Sequence, residues 1–368
     1  MDATPPRPPA IYSPAAREVS FGRIEGRVGR GMTEVRVRVD GRLAATKTIT
    51  RRRFALVVPL PARDVTLRVS AIDASGRHAS TVVDPVFGLP RGAAPYAGPI
   101  PALRGYEDAV LARRVRAMAR RFPGICGLFV QDLRTGAGAA WNARARFPAA
   151  STLKLAIAVE LMRELRGVPG AGSHLAALLW RMLVYSDDRS ANELLEVIGG
   201  STSGGSARVN AMMRALGLAD SDMYGGYIVE DSLLRSAIPL EILGRPSFIG
   251  KATTAWDLAR LERALHLAAG ARGALIWRFR GAFTPTDARF LMYLLAHART
   301  RGGLNGVRGG ATLLHKAGWI EKARHDSGLV YSADGAFVVA VLTWNGRGVG
   351  SASDLLATRV ALAALRRL

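Results

Sequence analysis

The chain has 368 residues, 49% of them apolar and 22% charged, a globular composition with room for two domains. Its single cysteine, Cys126, excludes an intrachain disulfide framework and a cysteine-based zinc site. No stretch approaches the roughly 18 consecutive apolar residues of a transmembrane helix, so no membrane span is expected. The formal net charge is +22, built from 46 Arg and 5 Lys against 29 acidic residues. That charge is spread along the whole chain, with 17 basic and 8 acidic residues in positions 1–105. Aromatic residues are only 7%, whereas a nucleic-acid binder gathers its cations into one patch, often with stacking aromatics. The charge therefore reads as an Arg-biased solvated surface, with attraction to an anionic surface left open. No nucleic-acid partner is expected, and a monomer is.

The opening residues, Met-Asp-Ala-Thr-Pro-Pro-Arg-Pro-Pro, contain no apolar h-region and do not read as a secretory signal as written. The cellular address stays open: extracytoplasmic or wall-associated if a leader is missing, cytoplasmic otherwise. Residues 1–16 are expected to be a disordered tail. Over 17–87 the pattern is all-β. Val35, Val37 and Val39 alternate with Arg36 and Arg38 before Asp40-Gly41, a strong hairpin signal, and Val65, Leu67 and Val69 alternate again. Several short strands with turns between them suggest a small sandwich of immunoglobulin-like type. A linker is expected at 88–105, where Pro90, Pro95, Pro99 and Pro101 accompany Gly92 and Gly98 and resist both helix and strand.

From 106 to 368 helices and strands mix. The pattern predicts a helix over 107–121, a strand over 127–133 and a second strand ending near Trp141. A long helix follows from about Ser151 and another over roughly 176–197. Three strands are expected near 312–320, 324–332 and 336–344, then a last helix from about Ser353. Two strands early and three late, with helices between, imply a five-stranded antiparallel sheet assembled from both ends of the domain and flanked by helices.

The five lysines, Lys47, Lys154, Lys251, Lys316 and Lys322, stand out in a chain that uses Arg for nearly every surface cation. Unlike Arg, a Lys ammonium loses its proton readily when its surroundings disfavour charge, so these positions are enriched in candidates for proton transfer. Lys47 falls in a strand region and carries no such reading. Lys154 follows Ser151 by three residues, which on a helix puts amine and hydroxyl on one face. A Ser hydroxyl becomes a useful nucleophile when an adjacent base takes its proton, and a helix N-terminus offers N–H groups to an oxyanion. Downstream, Ser186-Asp187-Asp188 offers a second hydroxyl, and His315-Lys316-Ala317-Gly318-Trp319 a second amine beside a glycine that permits close backbone approach. Lys316 near Lys154 would disfavour charge on both. His315 and His325 lack a third ligand at suitable spacing, so no metal or cofactor is expected.

Taken in this order, Ser151-Thr-Leu-Lys154, Ser186-Asp187-Asp188 and Lys316-Ala317-Gly318 resemble the S-x-x-K, S-D-N and K-T-G signature of class A serine β-lactamases and the penicillin-binding D,D-peptidases. The likeness includes the lead-in Arg146-Phe-Pro-Ala-Ala and the segment Ser186 to Leu195, and spans about 107–368. The resemblance implies a β-lactamase/transpeptidase-like domain behind an N-terminal β-sandwich. It also implies an acyl-enzyme on Ser151, Lys154 as base, and Ser186 passing a proton to the leaving amine. The N–H groups of Ser151 and Trp319 would hold the oxyanion, and Lys316 would pair with a substrate carboxylate; apart from the resemblance, Arg324 on the fourth strand is a candidate to help bind an anionic substrate. The small-molecule partner would be a β-lactam or a peptidoglycan peptide.

The sequence departs from that signature at Asp188, which replaces Asn, and at Ala317, which replaces a hydroxyl residue. Asp188 cannot donate when ionised, and it favours a charged Lys154. The deacylating Glu of E-x-x-L-N has its nearest counterpart in Glu230, whose segment ends in Leu234. Two further readings therefore stay open: a degenerate relative that binds wall peptides, and an esterase on the same scaffold.

Overall fold

The computed structural model describes residues 6–103, 108–227, 250–300, 303–307 and 310–368. The chain divides into two compact units, Met1–Ala94 and Pro95–Leu368.

The first unit holds β1 (Ala10–Ser13), β2 (Glu18–Ser20), β3 (Arg23–Arg27), β4 (Met32–Val39), β5 (Arg42–Thr48), β6 (Arg53–Val57), β7 (Asp64–Asp73) and β8 (His78–Gly88). They form one sheet of order β1-β3-β6 and another of order β2-β8-β7-β4-β5. Alternation decides the faces: Val35, Val37, Leu67 and Val69 turn inward and meet Ile24, Phe54 and Leu56 of the other sheet. Asp40 and Gly41 both take positive φ, 48° and 80°, the conformation a two-residue hairpin turn demands between β4 and β5. One expectation is corrected. Residues 1–16 are not wholly a disordered tail, because β1 pairs with β3 through Ala10, Ile11 and Ser13.

The second unit begins with α1 (Ala109–Arg121), capped by Asp108, whose carboxylate accepts from the N–H groups of Val110 and Leu111. β9 (Ile125–Asp132), β10 (Gly138–Trp141) and the short β11 (Phe147–Pro148) follow. A 3₁₀ turn over Ala150–Leu153 leads into α2 (Lys154–Leu165), and α3 (His174–Val184), α4 (Asp188–Gly199) and α5 (Thr202–Ala215) complete a helical cluster. Next come β12 (Ala252–Thr253), α6 (Ala255–Ala269), α7 (Ala274–Arg278) and α8 (Pro285–Ala296). The chain closes with β13 (Thr312–Ile320), β14 (Ala323–Tyr331), β15 (Ala336–Trp344) and α9 (Ser351–Leu365). Among the described residues no helix is long and apolar enough to cross a membrane.

The main sheet has the order β10-β9-β15-β14-β13 and is antiparallel throughout. The early pair and the late trio therefore join through β9 and β15, as the element pattern implied. β15 is buried along nearly its whole length, which explains its unbroken apolar run. On one face α1 and α9 bury Leu111, Val115, Val360 and Ala361 against Leu128, Val130, Val339 and Val341. On the other, Phe129 meets Trp256 of α6 edge to face, with ring centroids 5.3 Å apart.

Two local readings change. The helix expected over 176–197 is two helices, interrupted at Tyr185-Ser186-Asp187, where Ser186 takes φ 63° and Asp187 caps α4 through the N–H of Ser190. The helix expected from Ser151 starts as a 3₁₀ turn and becomes α-helical at Lys154. α2 is buried from Lys154 to Met162 and forms the centre of the helical cluster.

The Gly/Ser-rich patch at 199–206 is where α4 and α5 cross at backbone contact. A Cβ on Gly205 would lie 2.1 Å from the carbonyl oxygen of Leu195. Gly205→Ala is expected to destabilise this unit by about 1–3 kcal/mol, the usual cost of overpacking, measured as a lowered midpoint in urea unfolding at unchanged m.

Candidate active site

The turn that carries Ser151 is fixed from both sides. Upstream, Phe147 and Pro148 pair with Thr253 and Ala252, and the Ala149 N–H donates to the carbonyl of Lys251 at 2.9 Å. His325 Nε2 meets the Pro148 carbonyl at 2.7 Å. Within the turn, Thr152 Oγ1 donates to the Ala149 carbonyl at 2.6 Å, and the Lys154 N–H donates to the carbonyls of Ser151 and Thr152. Ala150, next to Ser151, is held at φ 47°, a left-handed conformation that an L-alanine avoids unless its surroundings impose it.

β13 is an edge strand of the sheet, and it passes this turn at Gly318. A Cβ there would stand 2.6 Å from the backbone nitrogen of Ser151 and 2.8 Å from that of Thr152. Only glycine permits that approach. An edge strand leaves alternate N–H groups without a ladder partner, here on the side facing the turn.

Two amines converge on the break between α3 and α4. Lys316 Nζ donates to Ser186 Oγ at 2.9 Å and to the Ala317 carbonyl at 2.7 Å. Lys154 Nζ donates to the Ser186 carbonyl at 2.5 Å and lies 3.5 Å from Ser186 Oγ. The left-handed φ of Ser186 aims both its carbonyl and its hydroxyl at this pair. Lys154 also forms an ion pair with Asp188 Oδ1 at 2.5 Å, its own side chain 0% exposed and that of Asp188 42%.

A third amine completes the cluster. Lys251 Nζ and Lys154 Nζ each lie 4.6 Å from the ring centroid of Tyr227. Tyr227 is anchored to α4, where Asn192 accepts its N–H at 2.5 Å and donates to its carbonyl at 2.8 Å. Burial pushes Lys154 below the ordinary lysine range, while the Asp188 carboxylate pulls it back. Lys316 is pushed down to about 7, first by burial and then by the charge of Lys154. Lys251 falls to about 8 through burial, with Asp188 opposing and Lys154 reinforcing the shift.

The structure thus brings Ser151, Lys154, Ser186, Asp188, Lys316 and Gly318 together. One expected contact is not formed: among the described residues the Ser151 hydroxyl has no hydrogen-bond partner, and Lys154 is held by Asp188 and Ser186 instead. A carboxylate outcompetes a neutral hydroxyl for an ammonium. Ala317 is buried and lines a crevice with Arg324, Asp354 and Ala357, on the α9 side of β13. Trp319 is half exposed, and the Arg324 guanidinium lies 5.9 Å from its ring. Arg324 Nε is engaged by Asp354 Oδ1 of α9 at 2.6 Å, which commits this cation to a protein carboxylate. Glu230 lies outside the described residues. His315 pairs with Asp326 at 2.7 Å beneath the sheet. Sequence reasoning singled out Lys251 only as a rare lysine and missed Tyr227 altogether, since no local pattern ties either to Ser151.

No curated protein sequence matches this chain at a significant level. Among solved structures, PBP-A superimposes with a TM-score of 0.55 at 20% identity, over 73% of this chain and 100% of its own. The β-lactamase of Streptosporangium roseum gives 0.55 at 20% identity, over 71% and 100% of the two chains. That of Sphaerobacter thermophilus DSM 20745 gives 0.53 at 20%, over 70% and 95%. These likenesses concern the fold. A family model described as the beta-lactamase enzyme family matches residues 110–167 and 168–368. Because that match spans most of the chain, and the sheet and helices carrying Ser151 have the same architecture, the chain belongs to the beta-lactamase enzyme family.

Proposed function

We propose that residues 95–368 act as a serine hydrolase through an acyl-enzyme on Ser151, on a β-lactam amide or a D-alanyl peptide. The observation that carries this reading is the placement of the Ser186 hydroxyl between two buried amines, 2.9 Å from Lys316 and 3.5 Å from Lys154, at the turn that bears Ser151. Supporting it from another protein, a variant of PBP-A is described as an acyl-enzyme complex with penicillin G.

In this reading Ser151 Oγ attacks the substrate carbonyl and yields its proton to a neutral Lys154. The oxyanion is met by the N–H groups of Ser151 and Trp319, brought close by the Gly318 contact. When the C–N bond breaks, the proton passes from Lys154 through Ser186 Oγ to the leaving nitrogen. Lys316 faces the substrate carboxylate, and Gly318 and Trp319 supply backbone to it. Ala317 contributes main chain alone, its methyl being turned toward α9.

A second reading has its own observation in favour. The Lys154–Asp188 ion pair, with a Ser151 hydroxyl that has no partner among the described residues, suits a relative that binds wall peptides without turnover. The two readings part on one measurement. Intact mass after incubation with penicillin G is expected to show a single adduct, and Ser151→Ala to abolish it; an unmodified wild-type mass at saturating penicillin would favour the binder.

Asp188 also sets the pH dependence. Its carboxylate stabilises the ammonium form of Lys154, so removing that charge lowers the pH at which the base form appears. Asp188→Asn is therefore expected to shift the rising limb of the labelling rate toward lower pH. A limb that stays in place would show that Asp188 does not govern the base.

A further inference from the structure

The acyl-enzyme reading leaves open which group handles the water that would release the product. Lys154 is paired with Asp188 and in that reading already serves the acylation step, and Lys316 donates to Ser186 Oγ and the Ala317 carbonyl. Lys251 is placed differently. Its backbone carbonyl accepts the N–H of Ala149, two residues before Ser151, so its position is tied to the nucleophile turn by the β11–β12 ladder. Its amine shares the Tyr227 ring with Lys154 at the same distance, 4.6 Å. Among the described residues Lys251 Nζ forms no ion pair, and its hydrogen bond runs to the Gly226 carbonyl at 2.5 Å. A carbonyl accepts from a neutral amine as well as from an ammonium, so this contact survives loss of the proton.

We propose that Lys251 is a further catalytic residue of this centre, the amine that takes the proton from the water that hydrolyses acyl-Ser151. The inference rests on the acyl-enzyme reading. As the water oxygen bonds to the acyl carbon, one water proton moves to neutral Lys251. Collapse of the tetrahedral adduct breaks the bond between that carbon and Ser151 Oγ. The Lys251 ammonium then returns its proton to Ser151 Oγ, leaving a free carboxylic acid and the starting enzyme. Among the described residues the charged groups around Lys251 are Lys154 from α2 and Asp188 from α4, while Asp187 from α4 acts on Lys154 and Lys154 in turn acts on Lys316 of β13. Burial holds Lys251 near 8, where a base has both a neutral population and the strength to use it.

The test uses the full chain, penicillin G as probe, and intact mass followed after excess probe is removed. Lys251→Gln and Lys251→Arg are compared with wild type, the Arg variant keeping a cation over the ring while removing a usable base. The labelling rate is expected to stay within about threefold of wild type, while the adduct lives about a hundredfold longer in both variants. The wild-type lifetime should shorten as pH rises through the Lys251 transition, and this dependence should vanish in both variants. Unchanged lifetimes in the two variants overturn the inference while leaving the acyl-enzyme reading intact. So does a wild-type adduct that persists for hours, or a long-lived adduct in Glu230→Gln with none in either Lys251 variant. A wild type that takes no label at all removes the acyl-enzyme reading and this inference with it.

Discussion

Three amines, two buried and one half-buried, gathered around one partly exposed carboxylate define the physics of this protein. Lys154, Lys251 and Lys316 come from a helix, a strand margin and an edge strand, and each is taken largely out of water. A charge moved from water into a protein interior is destabilised unless it is paired, and one close carboxylate, Asp188, does not pair three ammonium groups. Lys316 is therefore pushed down to about 7 and Lys251 to about 8, and Lys154 too falls below the ordinary lysine range. That single consequence is what the proposed acyl-enzyme chemistry draws on. Asp188, where the signature has Asn, works against that consequence at one amine, because its carboxylate favours the charged form of Lys154.

The backbone around the cluster is arranged to hold this unfavourable grouping. Ala150 and Ser186 both adopt left-handed φ values, one beside the nucleophile and the other at the meeting point of two amines. Such conformations persist when the surroundings over-determine them. Here the surroundings are the β11–β12 pairing, the His325 contact to Pro148, the Asp187 cap on α4 and the close pass of β13 at Gly318. The buried helix α2 and the five-stranded sheet supply the rigid frame on which these local strains are carried.

Much of the architecture was legible because periodicity and turn chemistry are local. The alternation at Val35 and Val37, the Asp40-Gly41 turn, and the strands of β13 to β15 lie where their patterns put them. The break at Ser186 was not legible, since 176–197 is apolar at helical spacing on both sides of it and the interruption is imposed by contacts with Lys154 and Lys316. Strand β1 was hidden for a similar reason: a short proline-flanked segment gains its extended form only by pairing with β3. Arg324 had the right chemistry for an anion, and its engagement by Asp354 depends on where α9 packs.

By itself the sequence determined the residue types and their order: a hydroxyl three residues before a lysine, a second hydroxyl, a second lysine before a small residue and a glycine, and a chain poor in lysine elsewhere. Those features are written in spacing, and spacing along one helix or strand survives folding. Only the tertiary structure decided that Lys154 turns toward Asp188 rather than toward Ser151 Oγ, and that Lys251 joins the cluster across Tyr227. The reason is that proton affinity depends on burial and on charges a few ångströms away, and those neighbours come from elements far apart in the chain.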